Sequence, residues 1–159
     1  MRRVQLFQHT QLLKGTTMAL DSTASTHWEG DLMTGAGTTT LTSGAAGPLA
    51  VDWKARSEAH GGKTSPEELI AAAHASCFSM ALSNALGKAG FPPASLDVHA
   101  TATFVPGEGI TGMVLVLRGN VPGLDHAGFV EAAEGAKAGC PVSKALAGNV
   151  PITLEVHEG

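Results

Sequence analysis

Ser65-Pro66-Glu67-Glu68 opens the segment that most narrows what this chain can become. Serine at a helix cap takes an orphan amide, and proline at the first helical position forfeits no bond. Glutamate three residues after the cap completes a capping box. An alanine-rich apolar stretch follows as far as Lys88 or Ala89, where Gly90 and Pro92-Pro93 stop it. At 1.5 Å per residue such a helix is roughly 35 Å long. That is unusually long for a chain of 159 residues.

Short runs of period two surround it. Residues 27–31 and 38–43 read as strands, the second rich in threonine. Residues 49–56 alternate well, with Leu49, Val51, Trp53 and Ala55 on one face and Asp52, Lys54 and Arg56 on the other. After the helix, residues 95–105 and 110–121 predict two long strands joined by Pro106-Gly107-Glu108-Gly109. Asp125 caps a second helix to about Ala138, Cys140-Pro141 opens a short third one through Ala147, and residues 150–156 form a last strand. The order β-β-β-α-β-β-α-α-β is an α+β pattern, not the alternation of a parallel sheet. Residues 1–25 show no clear period and read as a loosely ordered N-terminal extension. Residues 26–159 read as a single domain.

With 43% hydrophobic and 15% charged residues, the chain can bury a core and leaves a surface poor in ions. That hints at a face covered by a second copy. A formal net charge of -4 disfavours nucleic acid as a partner. His74, Ser76, Ser79 and Ser83 interrupt the most apolar stretch, so no run of the roughly 18 residues needed to span a bilayer is expected. The basic first residues lead into no apolar core of signal-peptide type. These readings place the protein in the cytoplasm, away from membranes. There a two-cysteine pair is more often redox-active than structural.

The two cysteines occupy unlike settings. Cys77 lies deep in the long helix and reads either as a small buried hydrophobe or as a nucleophile. The second reading needs a cation to favour the thiolate, and none lies within a helical turn. His74 is three residues back and would be a weak donor. Arg56, just before the helix, is the natural candidate. Cys140 precedes Pro141 at a helix start, where orphan amides favour a thiolate. It also reads as a plain cap residue, or as half of a structural disulfide. Glu67 is ten residues before Cys77, roughly 15 Å along a helix, so the two cannot share a site on one straight helix. Two copies crossing antiparallel near Ala71, Ala72 and Ala73 would bring each Glu67 towards the other copy's Cys77. Glu67 reads equally as a first-turn carboxylate favoured by the helix dipole. The seven histidines show no metal-ligand spacing, and neither a phosphate loop nor a Gly-x-Ser-x-Gly elbow occurs.

Residues 66–70 (Pro-Glu-Glu-Leu-Ile), 72–82 around Cys77, Gly90-Phe91 and 137–143 around Cys140 resemble the OsmC/Ohr family of thiol-dependent organic hydroperoxide peroxidases. His27-Trp28-Glu29-Gly30-Asp31 is similar to the start of its OsmC branch. The resemblance implies an intertwined homodimer, with a long central helix from each chain packed between antiparallel sheets and two active sites at the interface. It implies Cys77 as the peroxidatic and Cys140 as the resolving cysteine. Arg56 would be the activating arginine and Glu67 the carboxylate that orients it. The stretch from Arg56 to Pro66 is one residue longer than the family's pattern, and Ser65 stands where asparagine is usual. An alkyl or lipid hydroperoxide substrate and an external dithiol or lipoyl-protein reductant are implied, with no bound cofactor and no metal. A redox sensor without turnover, or a small-molecule or lipid binder on the same dimer, are the alternatives.

Overall fold

The computed structural model describes residues 19–158. Most of the expected N-terminal extension therefore lies outside the described residues. The first strand already begins at Ala24. The elements are β1 (Ala24–Glu29), β2 (Ala36–Leu41), β3 (Leu49–Asp52), α1 (Trp53–Ser57), α2 (Pro66–Lys88), β4 (Ser95–Val105), β5 (Gly109–Asn120), α3 (His126–Gly139), α4 (Pro141–Leu146) and β6 (Ile152–Glu158).

The α+β reading holds, and two details differ from the sequence expectation. The run 49–56 breaks in the middle, because Asp52 caps a one-turn helix by accepting from the Ala55 amide at 2.7 Å. Arg56 therefore rides on α1 and not on the polar face of a strand. The capping bond outcompetes an alternation that carries on through Trp53 and Ala55. The second difference is in the sheets. Sheet β1-β2-β3 is antiparallel throughout, whereas in β4-β5-β6 the β5–β6 pair is parallel. The return from β5 runs through α3 and α4, and a helical crossover delivers a strand in the same direction.

Helix α2 starts and stops as its caps dictate. Ser65 Oγ accepts from the Glu68 amide at 3.1 Å, but the Glu68 carboxylate accepts from the Thr64 hydroxyl at 2.5 Å. At the other end, Gly90 takes φ +88°, and the Phe91 and Gly90 amides donate to Leu86 and Gly87 at 2.9 and 3.2 Å. That is a Schellman stop. One side of α2 packs through Phe78, Leu82 and Leu86 against β4, β5 and α3. Leu115 and Leu117 point from β5 into the same core, opposite Leu154 and Val156 of β6, and Met113, also buried, pairs with Ile152. Gly119 of β5 lets Phe129 of α3 come close, since a Cβ there would lie 2.5 Å from the ring.

The opposite side of α2 is bare, with Met80 68% exposed. Pro66–Lys88 is also long and apolar enough to cross a membrane by length and composition, with a mean hydropathy of 1.4. The sequence expectation missed this, because alanines and leucines outweigh the scattered serines when averaged over the helix. In the fold one side of α2 packs on a sheet and 22% of that apolar window is buried.

Candidate active site

The site residues assemble as two pairs, one at the N-terminus of α2 and one at its middle. At its N-terminus, Glu67 turns back towards α1. Arg56 Nε donates to Glu67 Oε1 at 3.0 Å and Oε2 at 3.2 Å, and Nη2 donates to Oε1 at 2.8 Å. The side chains are 34% and 7% exposed, so the carboxylate is enclosed and the guanidinium keeps one open side. This planar grip holds the fork in one orientation. Phe104 of β4 completes it, with the guanidinium carbon 4.2 Å from the ring centroid and Trp53 edge-on at 6.1 Å. The β4–β5 register shifts at Thr103/Phe104, just where this ring is needed. Asp52 anchors α1 from the other side by pairing with Lys63. That bond, then the Ala55 amide, holds the Asp52 carboxyl below the usual range.

Beside the pair lies an apolar cavity of about 320 Å³. Thr26, Trp28 and Val51 of the small sheet, Trp53 and Arg56 of α1, and Leu69 of α2 contribute to its wall. Arg56 thus shares the edge of a mainly apolar hollow with Asp52, Thr26 and Thr39.

The second pair lies further along α2. Cys77 and Cys140 are both free thiols; Cys77 is half-buried and Cys140 fully buried. They come together because α4 packs against α2, with Cys140 ending α3 and starting α4. Burial pushes the Cys77 thiol up, the Val142 amide partly offsets this, and the neighbouring Cys140 thiol pushes it up further. Burial also raises Cys140, but the Ser143 amide, the Cys77 thiol, the Ser143 hydroxyl and the Val142 amide outweigh it. Its net direction is down. These amides belong to the first turn of α4 and act on the sulfur without a capping hydrogen bond to it.

All four residues singled out in the sequence thus fall into two pairs: Arg56 with Glu67, and Cys77 with Cys140. The two pairs do not meet within one chain. Ten residues of helix separate Glu67 from Cys77, and Arg56 is not among the groups that shift Cys77. Two participants escaped the sequence reading. Phe104 is one of five alternating apolar residues on β4, and nothing distinguishes it in sequence. Ser143 receives a contact from His74, whose Nε2 lies 2.8 Å from Ser143 Oγ. Residues 69 apart in sequence leave no local signal for that pairing. Among the described residues, no three His, Cys, Asp or Glu side chains come together as metal ligands would.

Known proteins share both sequence and fold. A sequence model of the family described as OsmC-like protein matches residues 59–155. The peroxiredoxin OsmC of Escherichia coli (strain K12) is 41% identical over 142 residues, spanning 87% of this chain and 99% of that protein. The organic hydroperoxide resistance protein of Xanthomonas axonopodis pv. citri is 37% identical over 99 residues, or 60% of this chain and 68% of that one. The crystal structure of the organic hydroperoxide resistance protein OhrB of Bacillus subtilis matches with a TM-score of 0.62 at 26% identity, covering 85% of this chain and 98% of that one. An OsmC protein structure from Legionella pneumophila matches in fold with a TM-score of 0.68 at 24% identity, covering 87% and 98%. With its two cysteine motifs, its long central helix and these relatives, the chain belongs to the OsmC family.

Proposed function

We propose that this protein is a thiol-dependent peroxidase that reduces organic hydroperoxides to alcohols in a homodimer. The observation that carries the reading is the meeting of Cys77 and Cys140, two free thiols from different helices with opposed acidities. A buried structural cysteine needs no such partner. The names of the relatives, a peroxiredoxin and organic hydroperoxide resistance proteins, agree with it.

In the cycle the Cys77 thiolate attacks the outer oxygen of the hydroperoxide. The O–O bond breaks, the alkoxide leaves as alcohol after taking a proton, and Cys77 becomes a sulfenic acid. The Cys140 thiolate attacks the oxidised sulfur, forming the Cys77–Cys140 disulfide while hydroxide leaves as water. An external dithiol, of lipoyl type, reduces the disulfide by exchange and is itself oxidised to a disulfide.

Cys77 needs help in the first step, because burial holds its thiol up. Arg56 is the cation suited to it, and within one chain it sits at the wrong end of α2. A second copy of α2 crossing antiparallel near Ala72 brings the partner's Arg56 to Cys77 and joins the apolar cavity to the thiol. Two features support this assembly. Only 22% of the most apolar window of α2 is buried within one chain. Every residue of β1 is exposed as well, and a thin sheet with open faces is poorly stabilised alone. An apolar hollow beside the guanidinium favours alkyl or lipid hydroperoxides over hydrogen peroxide.

Turnover of cumene hydroperoxide with dihydrolipoamide tests the activity, with Cys77→Ser as the inactive control. No consumption by the wild type overturns the peroxidase reading. Co-expressed Cys77→Ser and Arg56→Ala chains test the shared site. Each variant is inactive alone, and a mixed dimer regains one site made of Cys77 from one chain and Arg56 from the other. No regained activity in isolated mixed dimers refutes the cross-chain assignment.

A further inference from the structure

His74 and Ser143 have no part in the cycle just described, yet both are buried, at 0% and 5% exposure. An imidazole inside an apolar layer is costly unless its polar atoms are satisfied. His74 Nε2 is satisfied by Ser143 Oγ at 2.8 Å, while Nδ1 is buried without a hydrogen-bond partner. This asymmetry decides the tautomer. A stranded N–H donor is rarer and costlier than an under-used lone pair. The proton therefore resides on Nε2, which donates to Ser143 Oγ. Burial also pushes the His74 imidazolium below its ordinary range, so the ring is neutral around pH 7.

A serine oxygen that accepts from His74 has its own hydrogen free for another acceptor. Ser143 sits in the first turn of α4, and Cys140 opens that turn, its carbonyl accepting from the Lys144 amide at 3.0 Å. Both the amide and the hydroxyl of Ser143 favour the Cys140 thiolate. The groups acting on Cys140 are Cys77 from α2 and Ser143 and Val142 from α4. The His74–Ser143 bond therefore ties α2 to the first turn of α4, the turn that Cys140 opens.

We propose that His74 is a positioning residue for the resolving cysteine: its Nε2–H holds the Ser143 hydroxyl as a donor aimed at Cys140 Sγ. No proton is transferred along the chain. The arrangement favours the Cys140 thiolate and holds it beside the Cys77 sulfur, and so speeds disulfide formation. Its part in the cycle rests on the peroxidase reading, but the arrangement of donors does not.

The test separates the two. In a Cys77→Ser background Cys140 is the sole thiol, and its ionisation is followed by ultraviolet thiolate absorbance without any peroxide. Ser143→Ala and His74→Leu are each expected to raise its midpoint by about one pH unit, a roughly tenfold loss of thiolate below the midpoint. Combining them adds little, because they remove one and the same donor chain. His74→Gln, whose amide nitrogen reproduces the Nε2 donor, restores the midpoint. A role in packing alone leaves the midpoint where it was. Should His74→Leu fail to fold, Ser143→Ala carries the test. An unshifted midpoint in Ser143→Ala, or no rescue by a folded His74→Gln, overturns the proposal. These results stand whether or not hydroperoxide is turned over.

Discussion

Replacing Arg56 by leucine removes the only cation that touches the Glu67 carboxylate in the described chain, and the cost can be worked from the contacts. Glu67 accepts three hydrogen bonds from the guanidinium, and its side chain is 7% exposed. Breaking a buried pair by removing one partner costs about 3–5 kcal/mol. The Arg56 side is 34% exposed, so water reaches the stranded carboxylate and roughly halves that figure. Lost stacking on Phe104 at 4.2 Å adds about 0.5–1 kcal/mol. The sum is about 2–3 kcal/mol, a fall in Tm of roughly 5–10 °C for a chain of this size. Removing both partners, in Arg56→Leu with Glu67→Leu, strands no charge, so the double variant is more stable than Arg56→Leu alone. The assay is a double-mutant cycle by urea unfolding at one fixed protein concentration, since an oligomer's stability depends on concentration. Additive single-variant losses, or a double variant less stable than either single one, would refute the reasoning.

Cys140→Ser is expected to undergo one oxidation at Cys77 and then stall or over-oxidise, read as sulfenic, then sulfinic and sulfonic acid by mass spectrometry. Within one chain, Cys140 ionises at lower pH than Cys77, because its net direction is down and that of Cys77 is up. If the partner's Arg56 faces Cys77, Arg56→Ala raises the pH midpoint for alkylation of Cys77 and leaves that of Cys140 in place. An unchanged Cys77 midpoint contradicts the arginine assignment. Gly119→Ala pushes a methyl group to within 2.5 Å of Phe129 Cζ and is expected to cost about 1–3 kcal/mol by denaturant melts.

What the sequence disclosed was local chemistry. The α2 caps were readable because Ser65, Pro66 and Gly90 act on backbone groups within four residues. The pairing of Arg56 with Glu67 and the meeting of the cysteines followed from the family resemblance. Spacing alone left both open. Alternation through Trp53 and Ala55 points to a strand for Arg56, and a single carboxylate bond from Asp52 ends that strand early. The parallel partnership of β5 with β6 and the contact of His74 with Ser143 are set by distant packing. No periodicity announces either. The apolar average of α2 was hidden by serines at its surface, two of which return their hydroxyls to backbone carbonyls of the same helix.

The most direct measurement is peptide mass mapping of fully reduced protein after one equivalent of cumene hydroperoxide, with and without dihydrolipoamide. The account predicts a Cys77–Cys140 disulfide that forms within seconds and disappears when the dithiol is present. Two untouched thiols after exposure to the hydroperoxide would contradict it.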